Sequence, residues 1–380
     1  MSNNSKERTK TNGDKYMKKR FLLIVLAVCM LVSTASVLSS CFGNTLKAPD
    51  VHVFYYTYSD PYISSVRTSL DKKLSDAGIS FQDYDGNNNQ TTQTEQIQTA
   101  ITKGAKMIVV NIVNTSSDDA ANGIVSLAKD AGIPVVFFNR EVSDSVIESY
   151  EDCAFVGTNA EEAGILQGEM IGEYLNENFD SVDLNGDGSI SYILFKGEEG
   201  NNEAIYRTMY SVENANDILA ANGRNELVFY DAGNPNKYLV DKNGQWSAVA
   251  ANEYMTTALT SYSEARGNMI ELVICNNDNM AEGSISALNT SGYNLGGNGK
   301  KVPVFGVDAT EAAKDLIKSG KMTGTIKQDA VGMAEALITL CENGLSGSAA
   351  LMDNTSMYNV DARVNKIRIP YSKYLGENAE

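Results

Sequence analysis

From Val51 onward short apolar runs alternate with amphipathic stretches. Val51–Tyr56, Met107–Val113, Val135–Phe138, Ile190–Leu194, Leu227–Tyr230, Leu272–Ile274 and Val302–Val307 have the length and β-branched content of buried strands. Between them Ile97, Ala100 and Ile101, and later Ile124, Leu127 and Ala128, recur at i, i+3 and i+4, the spacing of one helix face. Gly104 and Gly132 stand where the residue closing a helix belongs. Strand, helix, strand in this order builds parallel sheets with right-handed crossovers. Seven such units are many for one small sheet, and the stretch 153–178 begins a second copy of the pattern. The expected fold is therefore α/β, with two Rossmann-like parallel-sheet lobes.

Polar residues follow the strands. Asp60 comes after the first run, then Asn111, Asn139, Asp231, the triplet Asn276-Asn277-Asp278, and Asp308. Ligands of open parallel sheets bind outside the carboxyl ends of the strands, so these amides and carboxylates would surround one crevice that two lobes close from both sides. Such a lining pairs donors with acceptors and suits a neutral polyhydroxyl ligand. An anion would need several cations or a glycine-rich helix N-terminus, and only Arg140 and Arg207 are candidates. Taken singly, each Asn or Asp is also a turn former or helix cap, and at this point both readings stand.

Composition narrows the classes. The 380 residues hold 31 Lys or Arg against 48 Asp or Glu, a net charge of −17, with no dense basic stripe, which argues against nucleic acid as a partner. One histidine, His52, leaves no histidine cluster for zinc and little room for Ser-His-Asp chemistry. Gly296-Gly297-Asn298-Gly299-Lys300-Lys301 is similar in part to a phosphate loop, but it precedes the run at Val302 and lacks the Ser or Thr after the lysine. No nucleophile is paired with a base, so the chain reads as a binding protein and not as an enzyme.

The charge is unevenly spread. Residues 1–40 carry seven bases and two acids, and the remainder is −22. Lys18, Lys19 and Arg20 precede an apolar run from Phe21 to Val32 and small residues up to Cys41, the pattern of an export leader, with Met1 or Met17 as its start. The run is short of the roughly 20 residues of a membrane span. Leu38-Ser39-Ser40-Cys41 resembles a bacterial lipobox, which implies lipidation at Cys41 and anchoring on the outer face of the cytoplasmic membrane. Cys153, Cys275 and Cys341 would remain as buried, unpaired thiols.

The sharpest local motif is Asp183-Leu184-Asn185-Gly186-Asp187-Gly188-Ser189-Ile190-Ser191. Oxygen groups at alternate positions and a glycine at position 6 match the first nine places of an EF-hand calcium loop. Position 12 is Leu194, so the closing carboxylate must come from elsewhere, and Glu271 at the start of the neighbouring run is the candidate. An Asp/Asn/Gly turn without metal fits the same residues.

Gly157-Thr158-Asn159, the calcium-like loop running into Phe195-Lys196-Gly197-Glu198, Asn276-Asn277-Asp278 and Phe305-Gly306-Val307-Asp308-Ala309 together resemble the bacterial D-galactose/D-glucose-binding proteins of ABC sugar importers, over essentially all of the chain after Cys41. The resemblance implies a type I periplasmic binding protein fold, with two lobes joined by a three-segment hinge near Gly157-Thr158, Gln328-Asp329 and the segment before Pro370. One lobe would comprise 51–157 plus about 329–362, and the other 158–328 plus about 363–380, after a leader at 1–40 and a lipidated tether at 41–50. It further implies a monomer that docks on an ABC transporter permease. Structural calcium would be held by Asp183, Asn185, Asp187, the Ser189 carbonyl, Ser191 and Glu271, with Ser191 in place of the family's usual glutamine.

For the sugar, the same resemblance implies that Asp60 accepts from a hydroxyl near C4 and that Tyr62 and Trp246 stack on the two faces of the pyranose. Asn111, Arg207, Asn277 and Asp308 would fix hydroxyl stereochemistry, and Asn201 and Glu203 would address the exocyclic end. The family's histidine and aspartate are replaced here by Asn201 and Glu203, its phenylalanine by Tyr62, and its last asparagine by Gln328. An insertion lies between Asp231 and Trp246. A sugar-responsive regulator would carry a basic DNA-binding N-terminus instead of a leader, whereas a sugar-presenting subunit of a membrane receptor would share the same site. A pentose or modified hexose is the alternative ligand.

Overall fold

The computed structural model describes residues 48–376, and the expected leader, the expected lipidation at Cys41 and most of the expected tether lie outside them. The first strand, β1 (Val51–Tyr55), is buried at all five positions, as a central parallel strand must be. Asp60 caps the helix that follows it, and Pro61 stands in its first turn, where a missing N–H costs nothing. That helix buries Tyr62, Ile63, Val66, Leu70 and Leu74. Each fully buried aliphatic side chain contributes about 1.5–3 kcal/mol, so this face is what holds the helix on the sheet.

β1, β2 (Phe81–Asp85), β3 (Met107–Val110), β4 (Val135–Phe138) and β5 (Cys153–Gly157) form one parallel sheet in the order β5-β4-β3-β1-β2. The second sheet contains β6 (Ser191–Lys196), β7 (Val228–Phe229), β8 (Leu239–Val240), β9 (Leu272–Cys275), β10 (Val304–Asp308) and β11 (Gly324–Gln328). The C-terminal stretch serves both sheets. β12 (Asn359–Val360) pairs antiparallel with β13 (Lys366–Arg368), which lies parallel beside β5, while β14 (Tyr371–Tyr374) pairs antiparallel with β11. Each sheet is thus parallel but for one antiparallel edge strand, with helices on both faces.

Cys153–Gly157 completes the first sheet, as the expected lobe bounds 51–157 have it, and the second copy of the pattern begins after Gly157 and not at Cys153, because Cys153 through Val156 pair with Val135 through Phe138. The last passage lies at Ile369-Pro370 and not after residue 362, because Lys366 and Ile367 pair with Phe155 and Val156 of the first sheet. The chain therefore crosses between lobes three times, after Gly157, after Gln328 and at Ile369-Pro370. The helix after the second crossing, Ala330–Ser346, packs Met333, Ala334, Leu337 and Leu340 into the same core as β1.

Gly164, Gly168 and Gly172 lie at four-residue intervals on the helix Ala160–Val182, and a Cβ on Gly164 would stand 2.4 Å from the Tyr206 carbonyl. This close approach sets the helix Asn202–Ala221 against its neighbour, and that helix carries Glu203 and Arg207. Cys153, Cys275 and Cys341 are buried free thiols. Among the described residues no helix is long and apolar enough to cross a membrane.

Candidate functional site

The carboxyl ends of both sheets face a shared cleft. Asp60, Tyr62, Asn201, Glu203, Arg207, Trp246, Asn277, Asp308 and Gln328 all line it. Three of these also cap helices. Asp60 Oδ1 accepts from Ile63 N at 2.9 Å, Asn201 Oδ1 from Ala204 N at 3.1 Å, and Asn277 Oδ1 from Met280 N at 3.0 Å. The cap reading and the cleft reading of these residues are therefore both true, since a cap at the carboxyl end of a parallel strand stands at the mouth of the crevice.

Asn111 does not line the cleft. It is fully buried behind it, accepting from Tyr56 N at 3.2 Å and donating to Phe138 O and Asn139 Oδ1, both at 3.1 Å. Asn139 takes the expected place at the surface in a left-handed conformation, φ 60°. Tyr56 and Ile63 also line the cleft without having been expected there, and Arg140, one of the two candidate cations in the sequence, lines it as well. For Asn139 and Arg140 the signal was their position directly after β4.

The walls differ in chemistry. Trp246 is 6 % exposed and held in a left-handed backbone, φ 54°. A Cβ on Gly197 would lie 2.1 Å from its indole, so only glycine leaves room for the ring. Arg207 is fully buried, its Cζ 5.7 Å from the centre of the Trp246 ring. Asp60 Oδ2 accepts from Tyr56 Oη at 2.6 Å. Asp308 ends β10 with φ 126°, followed by Ala309 at 56°. That unusual turn is fixed from beneath, where Asp278 accepts from Thr310 N at 2.9 Å and Thr325 Oγ1 at 2.6 Å. Burial pushes the Asp308 carboxyl well above the usual carboxylate range, with Arg207 acting in the opposite direction.

Among the described residues three buried donors around the cleft have no protein acceptor: Arg140 Nε, Arg207 Nε and Gln328 Nε2. Buried polar atoms are rarely left unpaired, so these atoms are available to water or to a ligand that brings acceptors. Two contacts bridge the lobes at the mouth. Arg140 Nη2 meets Glu198 Oε2 at 2.7 Å, and Asn201 Nδ2 donates to Thr115 Oγ1 at 3.3 Å.

The expected calcium loop folds back on itself. Asp183 accepts from Gly186 N and Gly188 N, Asn185 from Asp187 N, and Asp187 from Ser189 N. Glu271 does face the loop, accepting from Leu184 N at 2.8 Å and Ser191 N at 2.9 Å. It is 1 % exposed, and burial raises its carboxyl above the ordinary value. Ser191 Oγ donates to Met269 O at 2.7 Å. The side chains offer only hard oxygen donors, and in that respect they fit calcium. Among the described residues no three acidic, histidine or cysteine side chains are gathered closely enough to hold a metal ion.

Residues 51–349 match the family described as periplasmic binding protein domain. The chain belongs to the periplasmic binding protein family. Members of that family are substrate-binding proteins and not enzymes. This binding protein is 34 % identical over 346 residues to the D-galactose/methyl-galactoside binding periplasmic protein of Haemophilus influenzae, covering 91 % of this chain and 95 % of that one. It is 21 % identical over 298 residues to the ribose import binding protein of Escherichia coli, covering 78 % and 85 %. The solved structure of an ABC transporter solute binding protein from Bacillus halodurans with bound myo-inositol matches with a TM-score of 0.63 at 25 % identity, covering 88 % of this chain and 97 % of that one.

Proposed function

We propose that the chain is the extracytoplasmic sugar-binding component of an ABC importer, and that its ligand is D-galactose or D-glucose. The observation that carries this reading is the combination of three unpartnered buried donors with the Asp60 and Asp308 carboxylates and the Trp246 face in one cleft. A neutral sugar brings hydroxyls that both donate and accept, and C–H faces that suit an aromatic ring. The relative named for galactose is the reason to prefer that hexose.

In this reading the sugar bridges the lobes and selects the arrangement in which they are closed, and that arrangement docks on the permease. Asp60 and Asp308 accept hydroxyls, Arg207, Arg140 and Gln328 donate, and Asn277 and Asn201 set stereochemistry. Tyr62 and Trp246 enclose the ring. Lipidation at Cys41 would hold the protein at the outer face of the membrane. Asp183, Asn185, Asp187, Ser189, Ser191 and Glu271 would hold calcium, which would neutralise their carboxylates and brace the second lobe. A cyclic polyol is the second reading, supported by the myo-inositol-bound structure. Calorimetry of residues 42–380 against D-galactose, D-glucose, D-ribose and myo-inositol tests these readings. Heat with a hexose at micromolar strength or tighter is expected. Heat only with ribose or inositol would overturn the hexose assignment, and heat with none would overturn the sugar reading.

A further inference from the structure

Glu203 lines the cleft, yet both of its carboxylate oxygens are committed to the protein. Thr158 Oγ1 donates to Oε1 at 2.7 Å, and Arg207 Nη2 donates to Oε2 at 2.9 Å. Tyr371 Oη lies 3.0 Å from both Glu203 Oε2 and Thr158 Oγ1, and it accepts from Arg207 Nη2 at 2.8 Å. The same Nη2 reaches Gln328 Oε1 at 3.3 Å. All five residues are buried. This carboxylate thus faces the hinge as well as the cleft.

The origin of the five side chains matters. Thr158 follows β5 at the first crossing, Gln328 ends β11 at the second, and Tyr371 opens β14 at the third. One hydroxyl or amide from each crossing thus meets the Glu203–Arg207 pair. Arg207 Nη1 donates to Asn276 O at 2.8 Å, so both terminal nitrogens are held and only Nε is free among the described contacts. Guanidinium is planar, and holding its two terminal nitrogens fixes the direction in which Nε points.

We propose that Tyr371, acting with Thr158, is a positioning residue of the cleft. Its hydroxyl keeps the Glu203–Arg207 pair in register with all three crossings, so that Arg207 Nε and Gln328 Nε2 face the ligand together. This rests on the sugar reading above. A buried ion pair keeps its geometry only when its remaining lone pairs and protons are satisfied, and Tyr371 and Thr158 supply what Glu203 lacks. Glu203, Arg207, Gln328 and Tyr371 all belong to the second lobe, with Gln328 paired to Tyr371 across β11 and β14, so the network holds this wall of the cleft in one geometry. A ligand that occupies the two unpartnered donors meets them already aligned, and the network slows its escape.

The test uses Tyr371→Phe, which removes one oxygen, Thr158→Val, which replaces a hydroxyl by a methyl, and Thr158→Ser, which restores it. Association and dissociation of D-galactose and D-glucose are followed by stopped-flow tryptophan emission, with calorimetry for affinity. For Tyr371→Phe and Thr158→Val, dissociation about tenfold faster is expected from the loss of a hydrogen bond to a charged group. Association should stay within about twofold. The melting temperature of the sugar-free protein should stay within about 2 °C. Thr158→Ser should behave as wild type, and the double variant should be little worse than either single one, because both hydroxyls serve one carboxylate. Unchanged dissociation in both variants overturns the proposal while leaving the sugar reading intact. So does a fall in sugar-free melting temperature that accounts for the lost affinity. A wild-type protein that binds neither hexose overturns the sugar reading and this assignment together.

Discussion

Arg140, at the end of β4, and Glu198, just beyond β6, join the two lobes through a 2.7 Å ion pair at the rim of the cleft. The Arg140 side chain is 6 % exposed and that of Glu198 21 %, so the pair is shielded without being sealed from water. Trp246 Nε1 donates to the same carboxylate oxygen at 3.4 Å, and the Arg140 guanidinium lies 4.5 Å from the centre of the Tyr56 ring. One carboxylate thus links the first lobe to the aromatic wall of the second.

Glu198→Gln should weaken lobe closure without altering the cleft floor. Allowing for partial solvent screening, the loss is about 1 kcal/mol, or roughly a fivefold rise in hexose Kd. Small-angle scattering of the sugar-free protein should show a larger radius of gyration in the variant. Equal scattering and equal Kd would show that the pair does not bias the lobes.

Trp246 should report ligand directly, because it is the one tryptophan in the sequence. Trp246→Ala should raise hexose Kd at least about 30-fold, as loss of a central buried aromatic does. Gly197→Ala should displace the indole, since the new Cβ would meet it at 2.1 Å, and should lower affinity through the ring alone. Wild-type affinity in Gly197→Ala would mean that the ring does not touch the ligand.

Stability should depend on pH through two carboxyls in different lobes, one buried and one half-buried. Burial raises Asp278 and Asp83 from 3.8 to about 7. Folding thus favours their protonated forms, so the stabilisation is complete below about 3.8 and is lost as pH rises through about 7. The sugar-free protein should melt at a higher temperature at pH 5.5 than at pH 8, and Asp278→Asn should reduce that difference. An Asp278→Asn profile as steep as wild type would remove this carboxyl from the account.

Chelation tests the metal reading. Millimolar chelator should lower the melting temperature and added calcium should restore it, because an ion bound only by the native state stabilises by about 2.7 kcal/mol at a hundred times its Kd. Glu271→Gln should abolish the response, and Ser191→Gln should strengthen it by adding a longer oxygen donor. A melting temperature indifferent to calcium would leave the loop closed by its own backbone hydrogen bonds.

The central strands were readable because they are buried on both faces and appear as uninterrupted apolar runs. β2, with the sequence Phe-Gln-Asp-Tyr-Asp, was not, because it is an edge strand of half-exposed residues and carries no such run. Periodicity alone left Cys153–Gly157 at the start of a second copy, since it does not say which sheet a parallel strand joins, whereas the family resemblance placed it in the first lobe, where it lies. The cleft was legible wherever a residue stands at a strand's carboxyl end. Position after a strand places a Cα but not the direction of its side chain, which is how Asn111 came to be expected where Asn139 lies. Tyr371 gave no signal, being 164 residues from Arg207 and reaching it only through the pairing of β14 with β11.

The division of the C-terminal stretch between two sheets has a consequence for synthesis. β13 completes one lobe and β14 the other, with only Ile369 and Pro370 between them. Neither half can reach its final strand order while residues 366–374 are still inside the ribosome, so the usual habit of an N-terminal unit folding first is denied to this chain. Both halves are finished together by the same nine residues.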